Sequence, residues 1–250
     1  MWRIRSERLE LYLCSGLLGW RWSGEVTEHW QAVDSLEEGL SLGRSEAQSR
    51  PTARLRIWLS SSLARPISLM SMAESGARNS GELSALARAQ ASAHQAGEAT
   101  IWLGRPTRGS DWLAVAVDAA DWSRIGAALG DGTARVDSIR PWWDQALSHI
   151  LPGTAKQATV ADGAITGFSI AEPGGMILGA MQQDRLIEIG FEVAAAYDPD
   201  WRLTLRRHAL SVGTQWAAMS FSLHTASTTR CEENDGTAEV AVGSLARTSR

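Results

Sequence analysis

Lysine is all but missing from this chain: Lys156 is the single one, so 23 of the 24 basic residues are arginine. The arginines are scattered and form no basic run, so codon composition accounts for them unless folding gathers them into a patch, which is the test of a guanidinium-based role. With a formal net charge of −4, the chain carries no overall positive field to attract nucleic acid or an anionic bilayer. Two cysteines, Cys14 and Cys231, cannot build a disulfide framework, and a reducing compartment suits them. Long apolar runs are missing too. The opening MWRIRSERLELYLCSGLLGWRW is broken by Glu7, Arg8, Glu10 and Arg21, unlike the core of a signal peptide, and nothing elsewhere approaches the roughly 18 apolar residues of a membrane span. The expectation is a soluble cytoplasmic protein that meets a membrane only through another protein.

Catalytic motifs are equally scarce. Lys156 lies in Gly-Thr-Ala-Lys-Gln, without the upstream glycine or the following hydroxyl of a phosphate-binding loop. Gly174, Gly175 and Gly179 miss the dinucleotide spacing and follow a hairpin-like region. The histidines, His29, His94, His149, His208 and His224, are dispersed, with no ligand-like pair, so no metal site is expected. Around Ser169 the sequence Gly-Phe-Ser-Ile-Ala lacks the closing glycine of a nucleophile elbow. The adjacent carboxylates Glu37-Glu38 and Glu232-Glu233 diverge on a helix or are solvated in a tail. No catalytic residue, metal or cofactor is therefore assigned.

What is present is an alternation of strands and helices. Leu9, Leu11 and Leu13 share one face against Arg8, Glu10 and Tyr12, and Cys14-Ser15-Gly16 offers a turn before Leu17 to Trp22, which reads as a hairpin. A short strand over Val26 to Trp30 follows, then a helical spacing from Val33 to Leu40 ending near Gly43. RLRIWL over Arg54 to Leu59 is a buried strand with a triple-serine exit. Ser80 to Gly97 reads as a helix with Ser80 as its cap and Gly97 as its stop, and Thr100 to Leu103 as a short strand. A strand over Asp111 to Val117, a helix over Ala119 to Leu129 and a strand over Ala134 to Ile139 come next. Pro141 is then placed in the first turn of a helix running to Leu151. Hairpins return at Gln157 to Ala161, Ala164 to Ile170 and Met176 to Met181, with turns at Asp162-Gly163 and Pro173-Gly174-Gly175. From Thr225 onward the chain is polar and small, an expected flexible tail. The division expected is one α/β half over residues 1–105, a second over 106–224, and a tail over 225–250.

Twelve tryptophans against three phenylalanines mark large rings as core fillers or partner anchors. Trp142-Trp143 is the candidate partner-binding pair; neighbouring helical residues point about 100° apart, so at least one is expected in the core and the other is free to face a partner.

The segments LELYLCSGLLGWRW, RLRIWLSSSLARPISLM and WLAVAVDAADWSRIGAALGDGTARVDSIRPWWDQAL together resemble the actin-like cytoplasmic region of the bacterial type II secretion L proteins and type IV pilus M proteins, over roughly residues 8–205. The resemblance implies actin-like (ribonuclease H-like) α/β halves with mixed sheets and hairpins, reduced in size. It also implies a non-catalytic platform that docks a segment of an inner-membrane assembly protein. Actin-like proteins that bind ATP place an acidic residue and glycine at a first phosphate hairpin and an Asp-Gly at a second. Here the first is Ser15-Gly16 without an aspartate, and the second would be Asp162-Gly163. That departure argues against nucleotide, since Mg²⁺ and phosphate need anionic ligands and donors from both hairpins. An ATP-binding or ATP-hydrolysing protein using Ser15, Gly16, Asp162 and Gly163 is the alternative, and a regulator with an unrelated α/β fold is a third.

Overall fold

A computed structural model describes residues 7–25, 27–50, 52–69, 76, 79–94, 97–104, 112–130, 135–145, 147, 165–172, 175–182, 185–192, 220–225 and 238–242. Its backbone repeats one design twice. The first sheet holds β1 (Arg8–Cys14), β2 (Leu17–Trp22), β3 (His29–Ala32), β4 (Arg54–Leu59) and β8 (Arg135–Pro141) in the order β3-β2-β1-β4-β8. The second holds β9 (Ile165–Glu172), β10 (Gly175–Gln182), β11 (Arg185–Glu192), β12 (Ser220–Thr225) and β13 (Ala238–Val242) in the order β11-β10-β9-β12-β13. In each, an antiparallel three-strand meander is extended by two parallel strands added beside the first strand of the meander.

Between β4 and β8 the chain leaves the first sheet to build a smaller one, β5 (Ala64–Leu69), β6 (Ala99–Gly104) and β7 (Trp112–Asp118) in the order β5-β7-β6, all antiparallel. Helix α2 (Ser80–His94) covers it through Leu83, Ala87 and Ala91, packed on Leu69, Ala114, Ala99 and Ala116. Helices α1 (Leu36–Gln48) and α3 (Ala119–Leu129) are joined by the Arg44 guanidinium donating to the Ala128 carbonyl at 2.7 Å. Because β8 pairs with β4, the first half reaches Pro141, and the break expected at residue 105 falls inside its excursion.

The leucine face of β1 is buried under α1. Each leucine so buried stabilises the fold by about 1.5–3 kcal/mol. Gly43 was expected to end this helix, but α1 continues to Gln48, and Gly43 is where helix and sheet approach: a Cβ there would lie 2.6 Å from Leu11 Cδ1. Ser35 caps α1, accepting from the Glu38 amide at 3.1 Å, while Glu38 accepts from the Asp34 amide at 2.6 Å. The cap of α2 is Asn79 rather than Ser80, its side-chain oxygen accepting from the Glu82 amide at 3.0 Å. The described helix runs to His94, and the two residues before Gly97 lie outside the described residues.

Three further expectations are corrected. Strand β3 starts at His29 rather than Val26, in the register that sets His29 opposite Trp20. Pro141 is the last residue of β8, and the helical turn opens one residue later at Trp142. Strand β13 pairs in parallel with β12, so part of the segment expected to be a flexible tail is a sheet edge. Residues 157–161 and the Asp162-Gly163 turn lie outside the described residues.

Candidate functional site

The repeated topology gives each half a leading hairpin. In the first, Cys14 pairs with Leu17 across the two-residue turn Ser15-Gly16, where Gly16 has φ +85°, a left-handed conformation that a side chain would strain. In the second, Glu172 pairs with Gly175. The leading hairpin of the second sheet is therefore β9–β10, joined across positions 173–174; the Asp162-Gly163 turn expected from sequence lies outside the described residues. Cys14 and Glu172 occupy the same place in their hairpins, the last residue before the turn.

The first half reaches Glu172 directly. Tyr12 Oη donates to Glu172 Oε2 at 2.8 Å, and the Ser61 amide donates to the same oxygen at 2.8 Å. Tyr12, Ser60, Ser61 and Glu172 are all completely buried. The serine exit of β4 makes this possible: Ser60 N donates to the Leu13 carbonyl at 2.8 Å, and the Leu63 and Ala64 amides return to the Ser60 carbonyl, turning the chain so that the Ser61 amide faces the second half. Ser60 Oγ and Ser62 Oγ lie 2.6 Å apart, and Cys14 Sγ lies 3.7 Å from Ser62 Oγ.

Burial dominates the electrostatics. It pushes the Glu172 carboxyl up to about 7, against the downward pull of the Ser61 amide and the Tyr12 hydroxyl. Burial likewise raises the Tyr12 hydroxyl well above its ordinary range, helped by the negative charge of Glu172, and raises the Cys14 thiol. A carboxyl half-protonated near neutrality and already shared by two donors is a poor Mg²⁺ ligand. The equivalent position in the first hairpin is the buried thiol of Cys14 rather than a carboxylate. These residues do not fit a magnesium nucleotide.

Trp142 and Trp143 are both core residues, 2% and 0% exposed, so the expectation that one ring faces a partner is corrected. Trp143 Nε1 donates to the Ala64 carbonyl at 2.7 Å, and Trp142 meets Tyr12 edge-on at 6.3 Å between centroids. Ser15 and Gly16 are exposed on their turn. Sequence reasoning missed Glu172 because it stood in a run of apolar residues beside a Pro-Gly break, and only pairing of the two hairpins gives it a partner.

No protein-family model and no curated protein matches this chain in sequence. Solved structures do match in fold. A Bacteroides thetaiotaomicron protein of unknown function with an actin-like ATPase fold gives a TM-score of 0.57 at 12% identity, covering 90% of this chain and 83% of that one. The cytoplasmic domain of EpsL, an inner-membrane component of the Vibrio cholerae type II secretion system, gives 0.54 at 13% identity, covering 95% and 90%. The PilM–PilN type IV pilus biogenesis complex gives 0.57 at 12% identity, covering 87% and 81%. The chain has an actin-like α/β fold, as the twice-repeated sheet order requires.

Proposed function

We propose that this protein is a non-catalytic cytoplasmic platform of a bacterial secretion or type IV pilus machine, held at the inner membrane by docking a segment of a membrane-anchored partner. The observation that carries the reading is the Tyr12–Glu172 contact at 2.8 Å, which spends the one buried carboxylate at the meeting of the hairpins on joining the halves. An actin-like fold without acidic groups on both hairpins retains its shape and surfaces but loses the means of holding Mg²⁺ and phosphate. The fold shared with the EpsL domain and the PilM–PilN complex supports the same reading. No helix among the described residues is long and apolar enough to cross a membrane, which fits attachment through a partner. Since both rings of the Trp142-Trp143 pair are interior, the docking contact runs through other residues.

Two measurements test this. Calorimetric titration with Mg-ATP is expected to give no saturable binding; micromolar affinity lost in Asp162→Ala would restore the ATPase alternative. Co-expression with the cytoplasmic segment of an inner-membrane pilus or secretion protein is expected to give a complex that survives purification, and failure across such segments would remove the platform reading.

A further inference from the structure

The strand register gathers arginines that the sequence scatters. On the face of the first sheet opposite α1, Arg8, Arg54 and Arg135 stand abreast on β1, β4 and β8. The next row holds Arg21, Glu10 and Arg56, and the row above it sets Arg140 beside Trp58. With strands about 4.8 Å apart, the first row places three guanidinium stems within about 10 Å. Like charges side by side on neighbouring strands destabilise a sheet, so this is an unfavourable arrangement for the folded chain alone.

The acids on this face show how the arginines bind. Glu10 is held by Arg21 at 2.5 Å and Arg56 at 3.4 Å, one carboxylate oxygen to each. Asp137 is held in the same way by Arg54 at 3.0 Å and Arg8 at 3.4 Å. Each carboxylate sits in a fork made by two strands, each oxygen held by a different guanidinium through a charge-assisted contact. Arg135 and Arg140 are exposed and have no ion pair among the described residues, and the Arg140 charge partly offsets the upward push of burial on the Asp144 carboxyl. Arg54 and Arg8 keep 46% and 40% of their side chains exposed despite their pairing. Among the described residues, the six arginines of these rows therefore have Glu10 and Asp137 as their ion-pair partners, in a chain whose net charge is −4.

We propose that this arginine face is a docking surface for an acidic segment of a partner protein, whose carboxylates enter forks completed by Arg54, Arg135 and Arg140. This goes beyond the platform reading and stands on register and charge alone. A short acidic segment fits better than nucleic acid for two reasons. A long polyanion would run off the patch onto a negatively charged molecule. Of the aromatic rings on this face, Tyr12 and Trp58 are 0% and 5% exposed and Trp30 is half-buried with its ring against Tyr12, so the ring beside the exposed Arg140, Trp58, offers no platform on which bases stack.

The test is fluorescence anisotropy at low salt with the full chain, using a short fluorescein-labelled Asp/Glu peptide and labelled oligothymidylate as probes. The peptide is expected to bind, and Arg135→Glu/Arg140→Glu to weaken it at least about tenfold, as loss of charge-assisted contacts implies. The charge-matched control Arg88→Glu/Arg124→Glu, on exposed positions of α2 and α3, is expected to bind as the parent does. Circular dichroism verifies folding, and the milder Arg135→Ser/Arg140→Ser replaces the reversal if that variant fails to fold. No peptide binding by the parent, equal loss in patch and control variants, or tighter binding of oligothymidylate than of peptide would each overturn the proposal.

Discussion

Tyr12 and Glu172, 160 positions apart in sequence, share a 2.8 Å hydrogen bond in which the phenol donates and the carboxylate accepts. The bond links the first strand of one half to the end of the first strand of the other. Removing the donor in Tyr12→Phe leaves a buried carboxylate with the Ser61 amide as its remaining donor. The expected loss is about 1–3 kcal/mol, read by urea unfolding at neutral pH, and an unchanged midpoint would show that the contact does not hold the halves together.

Glu172 also sets a pH dependence. Its carboxyl titrates near 7 in the folded protein against an ordinary 4.5, so between those values the folded state holds a proton that the unfolded chain has released. Stability therefore falls as pH rises through this window and levels off above it. The span corresponds to about 3 kcal/mol. Glu172→Gln keeps an acceptor for Tyr12 and Ser61 and is expected to flatten this part of the profile. A variant whose unfolding free energy kept the parent's slope from pH 5 to 8 would assign the effect to another group.

Trp143 tests the interior role of the tryptophan pair. Trp143→Ala is expected to cost about 3–5 kcal/mol by cavity formation. Trp143→Phe is expected to cost about 1–3 kcal/mol, as the Ala64 carbonyl loses its donor. Both are read from thermal or urea unfolding, and a stability unchanged in Trp143→Ala would contradict its burial.

Gly43→Ala separates propensity from packing. Alanine gains about 1 kcal/mol over glycine in an exposed helix, but here its Cβ would press on Leu11 at 2.6 Å. Overpacking of this kind costs about 1–3 kcal/mol, so the net change is expected to be destabilising. A raised melting temperature would mean that Leu11 has room to move.

A chain ended after Thr225 tests the last strand. It loses β13 and leaves β12 as a bare sheet edge, an arrangement that invites aggregation. A lowered melting temperature and faster aggregation on heating are expected, and identical behaviour to the full chain would return residues 226–250 to the status of a tail.

Local pattern carried much of the fold. The alternation around Leu9, Leu11 and Leu13 and the helix at Ala119–Leu129 were legible because periodicity acts within a few residues. Strand β5 was missed because Pro66 interrupts it. The structure tolerates that proline on an edge strand, where one side needs no ladder donor. Gly43 looked like a helix stop because its real partner, Leu11, is distant in sequence. The same limit hid the candidate site: the serine exit was visible, but the Glu172 it serves belongs to the other half. The arginine face was invisible for a related reason, since register across three strands decides which arginines become neighbours.

The excursion between β4 and β8 bears on how the chain folds. Pairing Leu59 with Pro141 closes a loop that contains all of β5, α2, β6, β7 and α3, and closing a long loop delays the contacts that depend on it. Within that loop, β7 pairs antiparallel with β6 on one side and β5 on the other, contacts of much shorter span. The small sheet is therefore expected to acquire hydrogen-exchange protection before β8 docks, so that the first half is completed late, around an element already formed.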